Sequence, residues 1–174
     1  MKNLKLIALF LAFISFGCSK KGNGGEQTGQ YFIKAKVEGA LKECSAGIAG
    51  TKTTIDNLGV VISLNGRYGS DPAFGGFDLS ISGFKGVGTY LMGPGTIDVY
   101  PAIALYRWDG KTPPENYIYS SGGKNCSGKM VVTSYANNII KGTFEFTGRN
   151  NDGNTGETKT VTNGSFEVKL NILN

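Results

Sequence analysis

The 174 residues include 27 glycines, three cysteines and no histidine, with a formal charge of +5. Without histidine there is no Ser-His or Cys-His dyad and no imidazole metal site. The charge falls by Lys2 and Lys5 to +3 if the N-terminal leader is removed, and no arginine cluster makes the basic stripe that nucleic-acid binding needs.

Met1 to Lys5 carries two lysines and no acid, Leu6 to Phe16 is apolar except for Ser15, and Gly17-Cys18-Ser19-Lys20-Lys21 follows. A basic head, a short apolar run and a small residue before a cut describe a secretory signal peptide. The run is too short for a spanning helix, which needs roughly 20 apolar residues. Ile14-Ser15-Phe16-Gly17-Cys18 resembles a bacterial lipobox, in which the cysteine sulfur is lipidated and becomes the first mature residue. Gly17 and Cys18 fit that pattern, while Ser15 and Phe16 stand where Leu and a small residue are usual. The expected organisation is a signal peptide over 1–17, a lipidated cysteine and flexible tether over 18–30, and one domain over 31–174. Lys20 to Gly25 has nothing to bury and reads as flexible coil.

Lipidation of Cys18 would leave Cys44 and Cys126 as an even pair. Outside the cytosol a disulfide between them can persist. Closing so long a loop is worth about 4–5 kcal/mol in the chain-entropy model. Two separate buried thiols are the alternative.

From Tyr31 the pattern has period two. Ile33, Ala35 and Val37 alternate with Phe32, Lys34 and Lys36, which predicts a half-buried strand. Glu38-Gly39-Ala40 turns the chain, and Leu41 to Gly50 is ambiguous around Cys44. Leu58 to Leu64 is a strand ending at an Asn65-Gly66 turn, and Ser70-Asp71-Pro72 lies in a loop. Phe77, Leu79 and Ile81 face one way and Asp78, Ser80 and Ser82 the other, a one-face-in strand. Gly86 to Leu91 is a short strand ended by Gly93-Pro94-Gly95. Ile97 to Arg107 is the most apolar segment, and Pro101 within it requires an edge or a bulge. A loop with Pro113-Pro114 leads to Tyr117–Ser120. Gly128 to Tyr135 and Ile139 to Phe146 pair around Ala136-Asn137-Asn138 as a hairpin. A polar loop over 148–158 precedes the last strand, with Phe166, Val168 and Leu170 on one face. Glycine at Gly142 and Asn163-Gly164 marks a bulge, a close approach or a tight turn. The sum is an all-β chain: an antiparallel β-sandwich or flattened small barrel of about 8–10 strands with largely meander connections.

Val131 to Tyr135, Ile140 to Phe146 and Val161 to Val168 together resemble a family of Bacteroidota lipoproteins of unknown function. Phe32 to Gly39 and Gly88-Thr89-Tyr90 fit the same pattern. The resemblance implies the lipoprotein start and the all-β domain, and brings no activity, cofactor or catalytic residue.

The carboxylates nearest to a glycosidase-like pair are Asp78, Asp98, Asp109 and Glu115, and the sequence places no two of them together. Asp152 to Glu157 is rich in oxygen ligands but lacks the spacing of a helix-loop-helix calcium site, and reads as a hairpin loop. Tyr100, Tyr106, Trp108, Tyr117 and Tyr119 concentrate in one region. They serve either as core and cross-strand packing or as a platform for a sugar, with Tyr106, Trp108, Tyr117 and Tyr119 as the candidate ligand surface. The expectation is a non-catalytic envelope lipoprotein without cofactor or metal. It is held to the outer membrane by its lipid, and its candidate partners are a glycan or an envelope protein.

Overall fold

The computed structural model describes residues 31–70, 73–108, 117–150 and 156–173, and at 70, 73, 74, 108 and 117 the backbone alone. The leader, Cys18 and the tether lie outside the described residues, as do Asp109, Glu115 and the 151–155 part of the oxygen-rich loop. The described residues form eleven strands and no helix. These are β1 (Phe32–Val37), β2 (Ala40–Cys44), β3 (Ala46–Ile55), β4 (Gly59–Ser70), β5 (Ala73–Ile81) and β6 (Gly88–Met92). They continue as β7 (Ala102–Trp108), β8 (Tyr117–Ser120), β9 (Gly128–Ala136), β10 (Ile139–Asn150) and β11 (Thr158–Ile172).

All eleven belong to one sheet whose hydrogen bonding runs in a ring. From β11 it passes through β3, β4, β5, β7, β6, β9 and β10 and returns to β11. β1 and β2 extend from β11, and β8 bridges β7 and β10 at one end. The expected all-β class, sandwich or flattened barrel, is what the chain forms. The meander holds for β3-β4-β5 and β9-β10-β11. It breaks at two parallel pairings, β11 with β3 and β6 with β7.

Alternation sends one face of each strand inward. Ile33, Ile62, Phe77, Ile81, Tyr119, Met130, Val132 and Ile140 are fully buried, and Leu79, Met92, Phe144, Phe146 and Phe166 nearly so. Phe77 lies at the centre, 5.6 Å from Tyr106 and 5.6 Å edge-on from Phe144, between ring centroids. Burying such a side chain is worth about 1.5–3 kcal/mol.

Two bulges keep this alternation in phase. On β11, Val161 and Phe166 are both buried although they stand five positions apart, an odd step that strict alternation would put on opposite faces. Both neighbours slip at the same place: Lys34 and Lys36 face Ser165 and Thr162, and Phe144 and Phe146 face Gly164 and Val161. The extra residue falls at Thr162-Asn163, with Asn163 at φ 52°, so the bulge expected at Asn163-Gly164 is present and no turn forms there. Opposite Gly142, the extra residue is Thr133 on β9. Without such a slip, half of each strand would turn its apolar set to water.

Three local expectations are corrected. Asn65-Gly66 is not a turn. β4 runs through it to Ser70, because Gly66 faces inward where β2 crosses. A Cβ there would stand 2.9 Å from Cys44 Cβ and 3.1 Å from its Sγ. Leu41 to Gly50 resolves into two strands broken at Ser45, whose N–H donates to Arg67 O. Ile97 to Arg107 is a strand only from Ala102. Before it, the Val99 and Tyr100 N–H groups both donate to Thr96 O in a turn, and Pro101, which has no N–H, accepts from Ser82 at the strand start.

Candidate functional site

The structure corrects the expected disulfide. Cys44 and Cys126 are both free and both buried. Cys44 ends β2, paired with Ile33 and packed against Gly66 on β4. Cys126 closes the turn between β8 and β9, where its N–H donates to Gly123 O and Arg149 lies beside it. Cys44 Sγ packs at Gly66 and Cys126 Sγ at Gly123. Burial pushes the Cys44 thiol up to about 11 and raises the Cys126 thiol as well. Raised thiols are poor nucleophiles at neutral pH.

The aromatic surface is also corrected in its two describable members. Tyr106 and Tyr119 point inward and are 2% and 0% exposed. They face each other across β7 and β8, with stacked rings 5.9 Å apart. The Tyr106 hydroxyl shares a 2.9 Å hydrogen bond with Tyr68. Burial raises both of those phenols, so they stay neutral through the physiological range. At the rim Lys159 stands 5.7 Å from the Tyr119 ring centroid and 2.7 Å from Glu157. That hydrogen-bonded pairing lowers Glu157 and raises Lys159. These tyrosines build core. Trp108 and Tyr117 are register partners at the ends of β7 and β8, and their side chains lie outside the described set. Tyr100 lays its ring over Gly93 and Gly95.

Of the four carboxylates considered for chemistry, Asp78 and Asp98 are described, and Asp78 has a built environment. The outward faces of β4, β5 and β7 form three rows: Ser63, Ser80 and Ile103, then Asn65, Asp78 and Leu105, then Arg67, Gly76 and Arg107. Arg67 Nη1 donates to Asp78 Oδ1 at 2.9 Å and also to Gly66 O, and Arg107 Nε donates to Asp78 Oδ2. Gly76 makes this possible. A Cβ on it would stand 2.9 Å from Arg67 Cδ and Nη1, so any side chain there would push Arg67 off its path. Each Asp78 oxygen accepts from a guanidinium, so the carboxylate is the shared counter-ion of the two arginines. Beside it Ser63, Asn65, Ser80, Ile103 and Leu105 border a shallow depression of about 140 Å³. Asp98 is exposed in the turn before β7.

The sequence reading missed the two arginines. Pairing Ser70 with Ala73 sets Arg67 against Gly76, one step diagonal from Asp78, while Arg107 comes to Gly76 only through the pairing of β5 with β7, which no local pattern announces. Among the described residues no group of three or more His, Cys, Asp or Glu could hold a metal ion, and no helix is long and apolar enough to cross a membrane. In comparisons with known proteins, no family model, no curated protein and no solved structure matches the chain.

Proposed function

We propose that this chain is a lipid-anchored envelope lipoprotein whose β-domain is non-catalytic and serves a binding or structural role at the outer membrane. The observation that carries the reading is the N-terminal stretch, a basic head, an apolar run and Gly17-Cys18, followed by glycine-rich chain up to Tyr31. Strand β1 begins at Phe32, directly after the segment read as tether. The anchor would hold firmly: a diacylglycerol plus an amide-linked acyl chain buries dozens of methylenes at about 0.8 kcal/mol each. The resemblance to Bacteroidota lipoproteins supports the same reading.

The non-catalytic part draws support from how the reactive groups are used. Asp78 is clamped by two arginines, both thiols are buried, and Tyr68 and Tyr106 are bonded to each other. Metabolic labelling with a palmitate analogue tests the anchor: the wild type should incorporate label and Cys18→Ala should not. Equal labelling of the two would remove the anchor from the proposal.

A further inference from the structure

At the end of the ring where β3 meets the close of β11, a depression of about 330 Å³ is lined by Lys52, Val60, Phe84, Lys85, Gly86 and Tyr135. We propose that it binds a small organic anion with an apolar body, a carboxylate held by Lys52, Lys85 and the Tyr135 hydroxyl while the body lies on Phe84 and Val60. The inference deepens the binding role given above by naming a ligand class.

The charge is unspent. Lys52 Nζ donates to Tyr135 Oη at 3.1 Å and stands 5.3 Å from that ring's centroid. Among the described residues neither Lys52 nor Lys85 joins an ion pair. Among the described residues no acidic side chain lines the depression, and Asp98 lines the neighbouring one that shares Lys85. The Tyr135 oxygen accepts from Lys52, which leaves its own proton to donate. Lys52 keeps two further N–H donors. An ammonium and a phenol side by side are the donor pair a carboxylate accepts from, and charge-assisted bonds of this kind are the strong ones.

The site is also built before any ligand arrives. Tyr90 Oη accepts from Lys85 N–H at 3.1 Å and donates to Gly86 O at 2.7 Å, which fixes the backbone that carries Lys85. Phe84 N–H donates to Val60 O at 2.8 Å. The Phe84 ring is wedged between Tyr90, 5.9 Å away and stacked, and Tyr135, 5.3 Å away and edge-on. Lys52 sits on β3, between β4 and the end of β11. The apolar floor selects against a bare inorganic anion, and a concave site with a few convergent polar groups is the usual form of a small-ligand pocket.

The test is an amide-shift NMR titration of the full chain in non-ionic detergent with sodium phenylacetate as probe. Saturable shifts at Lys52, Val60, Phe84, Lys85, Gly86 and Tyr135 are expected. The uncharged phenylacetamide should bind about tenfold more weakly, the loss of one charge-assisted contact. Lys52→Met and Lys85→Met should each weaken phenylacetate by a similar factor, Tyr135→Phe by less, and Lys36→Met on β1 not at all. Equal binding of phenylacetamide, shifts scattered over the surface, or no saturable binding would overturn the proposal. Inorganic phosphate moving the same amides as strongly as phenylacetate would overturn the apolar half of it. Repeating the titration on Cys18→Ala, where the same binding is expected, separates this site from the anchor.

Discussion

Cys44 shows how one residue can carry both a packing role and a pH signature. Its sulfur fills the space that Gly66 leaves on β4, and burial is the main cause of a thiol pushed up to about 11 from its ordinary 9. The unfolded chain therefore releases this proton first as pH rises. The stabilisation is complete below pH 9 and is lost as pH climbs towards 11, on the order of 2 kcal/mol. The raised Tyr68 and Tyr106 act with the same sign at still higher pH. Urea unfolding across this range should show the decline in wild type and a flatter curve in Cys44→Ala. Thiol counting should agree: Cys44 and Cys126 should both react in denaturant and both resist reagent in the folded domain, where a disulfide would leave neither reactive in either state. Asp78 makes the second residue-scale case. Asp78→Asn leaves Arg67 and Arg107 on either side of Gly76 without their shared counter-charge. Because all three groups are partly exposed, the cost should be modest, about 0.5–1 kcal/mol, and smaller at high salt, where guanidinium repulsion is screened. Thermal melts at two ionic strengths measure it.

At the scale of elements, what the sequence made legible followed from what each residue needs locally. Ile33-Ala35-Val37 and Phe77-Leu79-Ile81 alternate strictly, and both are strands with those residues inside. Asn137 and Asn138 both take positive φ, the turn chemistry that marked the β9–β10 hairpin. What could not be read depended on a distant partner. Asn65-Gly66 has the composition of a turn, yet its glycine serves the approach of Cys44 from another strand, a contact invisible to local pattern. The disulfide failed for the same reason: counting gave an even pair, but pairing depends on where β2 and the β8–β9 turn come to rest. The tyrosines of β7 and β8 were visible as a concentration. Only the register of Tyr106 against Tyr119 shows that they stack inward. Lys52 and Tyr135 are 83 residues apart, so the depression they line had no local signal at all.

Closure is a property of the whole molecule, and it rests on a short seam. β11 gives one long edge to β10, while β1 and then β3 take successive positions along its other edge. The β3 contact is parallel and brief: Leu170, Asn171 and Ile172 face Gly50, Thr51 and Lys52, and Leu173 N–H donates to Lys52 O. Gly50 is what allows the strands to meet. A Cβ there would stand 2.7 Å from Leu170 Cδ2, 2.8 Å from Val168 Cγ1 and 3.0 Å from Lys169 O. The first two neighbours could shift at some cost, but the backbone oxygen cannot without parting the seam. Gly50→Val should therefore destabilise the domain by about 1–3 kcal/mol, the range for overpacking a filled site. The opening should be local before it is global. Hydrogen exchange should quicken first at 50–52 and 170–173, with the β9–β10 hairpin still protected. Uniform quickening over all strands would mean instead that the ring opens only as one cooperative unit. Lys52 lies on this seam, so the same variant should also weaken phenylacetate binding at the depression, linking closure of the ring to the site at its end.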